Sequence, residues 1–222
     1  MTKNEFISSR RHFLGFAGAT AGLIVVGSGC KKEQVASNDV ADGVDLGSGD
    51  PGILNYAYAL EQLEAAFYSQ VIMSQYSGIS STEAALLTDI RDHEIAHREF
   101  FKAALKDGAI ADLEFDFSSV DFGSRDSVLA TAKAFEDLGV SAYNGAGRLI
   151  QTDDYLVLAG KIVSVEARHA AWIRDVISSG TFADDTVIDA NGLDDSKKPT
   201  EVLDIAKTYI KTPINAVNLP TY

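Results

Sequence analysis

Cysteine, basic residues and long apolar runs are all scarce in this chain of 222 residues. Cys30 is the only cysteine, so no disulfide can form within the chain and no cysteine cluster can bind a metal. Lysine and arginine number 19 against 32 aspartates and glutamates, and this acidic balance argues against nucleic acid and anionic membranes as partners. The length and the hydrophobic fraction of 46% fit one domain with a proper core.

Residues 1–29 have the pattern of an export signal. The segment 9–14 (SRRHFL) resembles a twin-arginine signal, and a 15-residue run rich in glycine and alanine follows at positions 13–27. Such a run is too short to span a bilayer as a stable helix. We therefore predict export across the cytoplasmic membrane of a bacterium to the periplasm or cell envelope. A short anchor that stays attached is the alternative.

Cys30 ends this run in the segment 26–30 (VGSGC), which resembles a bacterial lipobox. The expected result is a lipid on Cys30 and no other contact with the membrane. A cysteine that merely falls near a signal-peptidase site is the alternative. Residues 30–49 are polar and rich in glycine, serine and aspartate, and they predict a flexible tether.

Four long helices are predicted within residues 50–180. Asp50-Pro51 is a helix start, and the segment 80–83 (SSTE) is a capping box. The predicted helices span about 50–76, 80–107, 125–148 and 152–179. Residues 109–124 lack a helical period and form the long connection, so we expect an all-α four-helix bundle with one long crossover. Residues 181–222 form a C-terminal extension with a short helix after Pro199.

Two Glu-x-x-His pairs lie inside these helices: Glu94 with His97, and Glu166 with His169. Residues three apart on a helix point the same way, one turn apart. A carboxylate and an imidazole on an apolar face are costly to bury unless something neutralises and coordinates them. One such pair is usually a surface pair or a histidine whose hydrogen bonds are satisfied in the core, so only two matching pairs indicate a metal site.

An internal repeat matches them. Glu61 and Tyr68 recur as Glu136 and Tyr143 at an offset of 75, and Glu94 recurs as Glu166 at an offset of 72. The chain therefore consists of two helical hairpins of the same plan. Each hairpin contributes one upstream glutamate and one Glu-x-x-His pair, which is the ligand set of a dinuclear metal site in a bundle.

The upstream ligand of the first hairpin has a rival. Glu61 lies at the centre of an apolar stripe, and Glu64 lies at its margin, about 60° away. Glu61 is preferred because it shares the local pattern around Glu136, whereas Glu64 aligns with Gly139. The predicted ligands are Glu61, Glu94, His97, Glu136, Glu166 and His169.

Four buried carboxylates repel one another and take up protons unless cations lie between them. Two divalent ions supply that charge, and the oxygen and nitrogen donors suit iron or manganese and are tolerated by zinc. We expect Glu94 and Glu166 to bridge the ions, and Tyr68 and Tyr143 to hydrogen-bond the carboxylates. His93 lies outside the repeat and is interpreted as a surface residue or a neighbour of the ligands. Asp137 is interpreted as a solvated helix charge.

At these positions the chain resembles the ferritin-like superfamily, in particular exported ferritin-like domain proteins related to plant desiccation-associated proteins. The resemblance covers residues 50–180 and is carried by the segments YALEQLEAAFY, DHEIAHREFF, AFEDLGVSAYNGA and VEARHAAWI. It implies a ferritin-like four-helix bundle. Members of the wider group are ferroxidases, manganese catalases, peroxide reductases and oxygenases. The lack of cysteine pairs argues against a rubrerythrin-type peroxidase that carries its own electron relay.

The expected function is redox chemistry at a dinuclear metal site, with metal ions and small oxygen species as partners and peroxide, dioxygen or ferrous iron as substrate. A non-catalytic envelope protein of the stress or desiccation type, which uses the bundle as a scaffold, is the alternative. An iron-storage cage is disfavoured, because the tether, the lipid and the C-terminal extension would obstruct assembly of a shell. The resemblance also implies a homodimer.

Overall fold

The computed structural model describes residues 43–222, and five helices make up most of this region. The long helices are α1 (Gly49–Met73), α2 (Ser81–Leu105), α3 (Arg125–Gly147) and α4 (Asp153–Ile177), and the short α5 spans Pro199–Ala206. Two short strands, β1 (Val44–Asp45) and β2 (Ile214–Asn215), pair in parallel. The predicted all-α bundle with a short C-terminal helix is confirmed. None of the helices in residues 43–222 is both long and apolar enough to cross a bilayer.

The helix boundaries follow local capping. The Ser80 side chain accepts a hydrogen bond from the Glu83 N–H at the start of α2, and Ser124 does the same for Ser127 at the start of α3. The side chain of Asp50 lies in the first turn of α1, but it accepts hydrogen bonds from the Gln151 and Thr152 N–H groups. Asp50 therefore links the start of the first hairpin to the start of α4.

Helix α1 is the centre of the domain, because every residue from 52 to 65 is buried. Helix α2 packs along α1, and α4 packs along α3, while α1 and α3 contact each other between the two hairpins. The crossover covers the remaining side of α1: the Leu113 N–H donates to Gln62 Oε1, and the Ile110 N–H donates to Asn55 Oδ1. These bonds satisfy polar groups that the core would otherwise leave unpaired.

The C-terminal extension packs on α3 at a point of close backbone approach. The Lys197 N–H donates to the Ser141 carbonyl, and a Cβ atom added to Gly145 would lie 1.7 Å from the Lys197 carbonyl oxygen. Glycine is therefore the residue that lets the extension cross the helix here. Further along, the side chains of Val202 and Leu219 are buried in the core.

Residues 43–49 differ from the predicted tether of residues 30–49. Val44 and Asp45 pair with β2, and the Leu46 side chain is fully buried. Their polar composition predicted flexibility, but pairing with a distant segment satisfies their backbone groups and fixes them in the fold. The predicted signal peptide, Cys30 and the tether up to residue 42 lie outside the described residues.

Candidate metal centre

The six predicted ligands lie together in the middle of the bundle. Helix α1 contributes Glu61, α2 contributes Glu94 and His97, α3 contributes Glu136, and α4 contributes Glu166 and His169. All four glutamate side chains are fully buried, whereas 6% of the His169 side chain and 13% of the His97 side chain are exposed. Solvent therefore approaches the cluster on the histidine side.

The six side chains form two groups that share two carboxylates. In the first group, His97 Nδ1 lies 2.8 Å from Glu166 Oε1, and 3.4 Å from both Glu61 Oε2 and Glu94 Oε2. In the second group, His169 Nδ1 faces the other oxygens of the shared pair, at 2.9 Å from Glu94 Oε1 and 3.8 Å from Glu166 Oε2. Glu136 Oε2 completes the second group, 3.4 Å from His169 Nδ1.

Most atoms that face the centre of these groups have no hydrogen bond. Among residues 43–222, twelve buried side-chain nitrogens and oxygens lack a hydrogen-bond partner, and eight of them belong to the six predicted ligands. The close contacts between imidazole and carboxylate in this cluster therefore lack hydrogen-bond alignment. Glu94 and Glu166 each leave both oxygens free, whereas Glu61 and Glu136 each leave one. Each of the two groups could therefore hold a metal ion, and the two groups share Glu94 and Glu166.

The charge of the cluster is compatible with bound cations. Burial raises the pKa of Glu61, Glu94 and Glu136, and the negative charge of Glu166 raises the pKa of Glu94 further. Burial disfavours the charged imidazoles, but the adjacent carboxylates outweigh it and raise the pKa of His97 and His169 to about 12. The metal-free cluster therefore retains protons. Two divalent cations would balance the four carboxylates and replace those protons.

Comparison with protein families gives a match over most of the bundle. The model of the ferritin-like domain matches residues 49–179. The chain belongs to the ferritin-like domain family. This range contains all six residues of the cluster. A comparison with curated proteins gives no match.

Two tyrosines connect the hairpins of the ferritin-like domain to each other's glutamates. The Tyr68 hydroxyl of α1 donates to Glu136 Oε1 of α3, and the Tyr143 hydroxyl of α3 donates to Glu61 Oε1 of α1. These bonds occupy one oxygen of each unshared glutamate and leave the other to face the group. The contacts that were expected for Tyr68 and Tyr143 are therefore present.

Glu64, the rival of Glu61, belongs to neither group. It is buried beside Gly139, where a Cβ atom would lie 3.1 Å from Glu64 Oε1. Burial raises the pKa of Glu64 well above its ordinary value, and the charges of Glu166 and Glu94 add to that rise. The structure thus brings Glu61, and not Glu64, to His97, and the glycine that aligns with Glu64 in the repeat leaves room for its side chain.

Two side chains on the bundle helices make contacts that the sequence did not predict. His93 is exposed, yet its Nδ1 lies 2.9 Å from Nε2 of His169. Asp137, interpreted as a solvated charge, accepts two hydrogen bonds of 2.7 Å from the buried guanidinium of Arg174. Arg174 also donates to Thr186 in the extension. No local signal reveals this pair, because its members lie on different helices.

Proposed function

We propose that this ferritin-like domain binds two divalent metal ions, iron or manganese in preference to zinc, and carries out redox chemistry on peroxide, dioxygen or ferrous iron. The observation that supports this most is the set of eight buried oxygen and nitrogen atoms that have no hydrogen bond and could bind a metal. They fall into two groups that share Glu94 and Glu166. A buried cluster of this charge and composition does not stabilise the fold by itself, because unpaired buried polar groups cost free energy.

The side chains have separate tasks in this proposal. When bound, the two ions would supply the exchange of electrons with a small oxygen species or ferrous iron. Glu94 and Glu166 would hold the ions as a pair, while the hydroxyls of Tyr68 and Tyr143 keep the unshared glutamates oriented. The partial exposure of His97 favours entry of small substrates on the histidine side.

The location of the protein is a proposal from the N-terminal sequence. The twin-arginine pattern and the lipobox-like segment support export and attachment to the membrane surface through a lipid on Cys30. By resemblance to the twin-arginine route, which exports folded proteins, the metal site would be assembled before export.

The test uses the full chain, reconstituted separately with ferrous iron, manganese and zinc. We expect about two ions per chain, in line with the two groups. The iron or manganese form should consume peroxide or dioxygen, or oxidise added ferrous iron, faster than a Glu94→Gln control. Substantially fewer than two ions after reconstitution would refute the metal site. A loaded protein that is inert in all three assays would instead support the non-catalytic envelope scaffold.

A further inference from the structure

We propose that His93 is a positioning residue of the metal centre: its Nδ1 accepts a hydrogen bond from His169 Nε2 and makes the His169 position a tighter metal site than the His97 position. This inference deepens the proposed function and rests on its metal site. His93 belongs to neither ligand group, and the repeat does not predict it. Its side chain nevertheless contacts the outer nitrogen of a ligand.

The contact between the two rings is a hydrogen bond in the ring plane. The planes differ by 7°, the centroids lie 5.1 Å apart, and the nitrogens lie 2.9 Å apart. Rings stacked face to face keep their atoms about 3.5 Å or more apart. Two nearly parallel rings with nitrogens this close must therefore lie edge to edge, so that the N–H of one points along the lone pair of the other.

The position of the proton on His169 follows from its other contacts. His169 Nδ1 faces Glu94 and Glu136, so this nitrogen is the one available to a metal. A neutral imidazole that binds a metal through Nδ1 carries its proton on Nε2. That N–H donates to His93 Nδ1. A ligand imidazole held in this way has a fixed tautomer and orientation and is a stronger donor to the metal.

The second hairpin has no counterpart of His93 that could hydrogen-bond to His97. The offset of 72 that aligns the two Glu-x-x-His pairs aligns His93 with Val165, whose apolar side chain cannot bond to His97. The His97 side chain is also more exposed than that of His169, at 13% against 6%. The two metal positions, nearly symmetric in their direct ligands, are therefore unequal in the support of their histidines.

The test is a titration of the full chain with manganese and with zinc, each in competition with a chelator. In His93→Phe, which cannot accept the bond, we expect one of the two ions to bind about 10- to 100-fold more weakly and the other to stay within about threefold. His93→Gln offers a carbonyl oxygen and should restore most of the affinity. Glu99→Gln, a charge change at an exposed position of α2, is the matched control and should leave both affinities unchanged. Because His93 is exposed, these variants leave the core intact.

A second readout reports the tautomer directly. In nitrogen-15 spectra of the zinc-loaded protein, His169 should carry its proton on Nε2, and His93 should not carry its proton on Nδ1. Equal weakening of both ions in His93→Phe, no weakening of either, or a proton on His93 Nδ1 would overturn the inference while leaving the metal site intact. A wild-type chain that binds no metal would overturn both.

Discussion

Glutamine in place of glutamate distinguishes the shared ligands from the unshared ones. Glu94 places Oε1 2.9 Å from His169 Nδ1 and Oε2 3.4 Å from His97 Nδ1, so it serves both groups. Glu61 offers only Oε2, because Oε1 is bound to Tyr143. Loss of a residue that only hydrogen-bonds to a metal ligand lowers metal affinity by about 10- to 100-fold, so loss of a direct ligand should lower it more. Glu94→Gln should therefore weaken both ions, and Glu61→Gln only one.

The assay is elemental analysis after reconstitution and removal of loosely bound metal. We expect close to one ion per chain in Glu61→Gln and close to none in Glu94→Gln, since each group loses a ligand only where the residue belongs to it. Glu64→Gln is the matched control: the same change on the same buried helix, outside both groups, should leave both ions in place.

The metal-free Glu94→Gln variant should resist urea better than the metal-free wild type. Burial and the charge of Glu166 raise the pKa of Glu94 well above its ordinary value, so a neutral side chain suits the metal-free fold. Loss of both ions in Glu61→Gln, retention of an ion in Glu94→Gln, or loss of one in Glu64→Gln would refute the ligand assignment. A Glu94→Gln chain less stable than the metal-free wild type would refute the electrostatic reasoning.

Three further predictions concern stability. Gly145→Ala should lower the free energy of unfolding in urea by about 1–3 kcal/mol, because the new methyl would lie 1.7 Å from the Lys197 carbonyl oxygen; Gly147→Ala, with its nearest atom at 3.7 Å, is the control. Arg174→Met should lower the free energy of unfolding by about 1.5–3 kcal/mol, because the partly exposed Asp137 loses two hydrogen bonds from the guanidinium, and a further Asp137→Leu should recover part of it. The melting temperature of the metal-free protein should fall as the pH rises above 6.5, the ordinary pKa of histidine. In the folded protein the pKa of His97 and of His169 is about 12, so each protonated imidazole stabilises the fold fully below pH 6.5. Above that pH, each histidine loses up to roughly 1 kcal/mol of this stabilisation per pH unit.

Each of these has a contradicting result. A Gly145→Ala chain as stable as Gly147→Ala would mean that the extension does not cross α3 closely. An Arg174→Met chain of unchanged stability would mean that the ion pair with Asp137 does not stabilise the fold. In the pH series, the zinc-loaded protein is the control, because bound metal has already displaced the imidazole protons. A metal-free melting temperature that rises between pH 6.5 and 9 would contradict the assigned protonation of the cluster.

The helices and the six residues of the cluster were predictable because they depend on local patterns. The capping residues Ser80 and Glu83 predict the start of α2. The spacing of three residues places Glu94 and His97 on the same face of that helix. The internal repeat then predicted that the two hairpins bring matching residues to one site. The choice of Glu61 over Glu64 followed from alignment with Glu136, and the structure brings Glu61 to the cluster.

Other features depend on contacts between distant segments, and no local pattern reports them. Leu46 lies in a stretch rich in glycine and aspartate, yet it is buried, and its backbone N–H donates to the carbonyl of Asn215, nearly 170 residues away. Arg174 and Asp137 look like ordinary helix charges until α3 and α4 are packed. His93 has no counterpart in the repeat, so the periodicity that revealed the ligands could not reveal its contact with His169.

Anomalous diffraction from crystals of the manganese- or iron-loaded protein would show where the metal ions bind. We predict two peaks in the bundle, one beside His97 Nδ1 and Glu61 Oε2 and the other beside His169 Nδ1 and Glu136 Oε2, with Glu94 bridging them. Peaks confined to acidic residues on the surface, or an empty cluster after full reconstitution, would contradict the account.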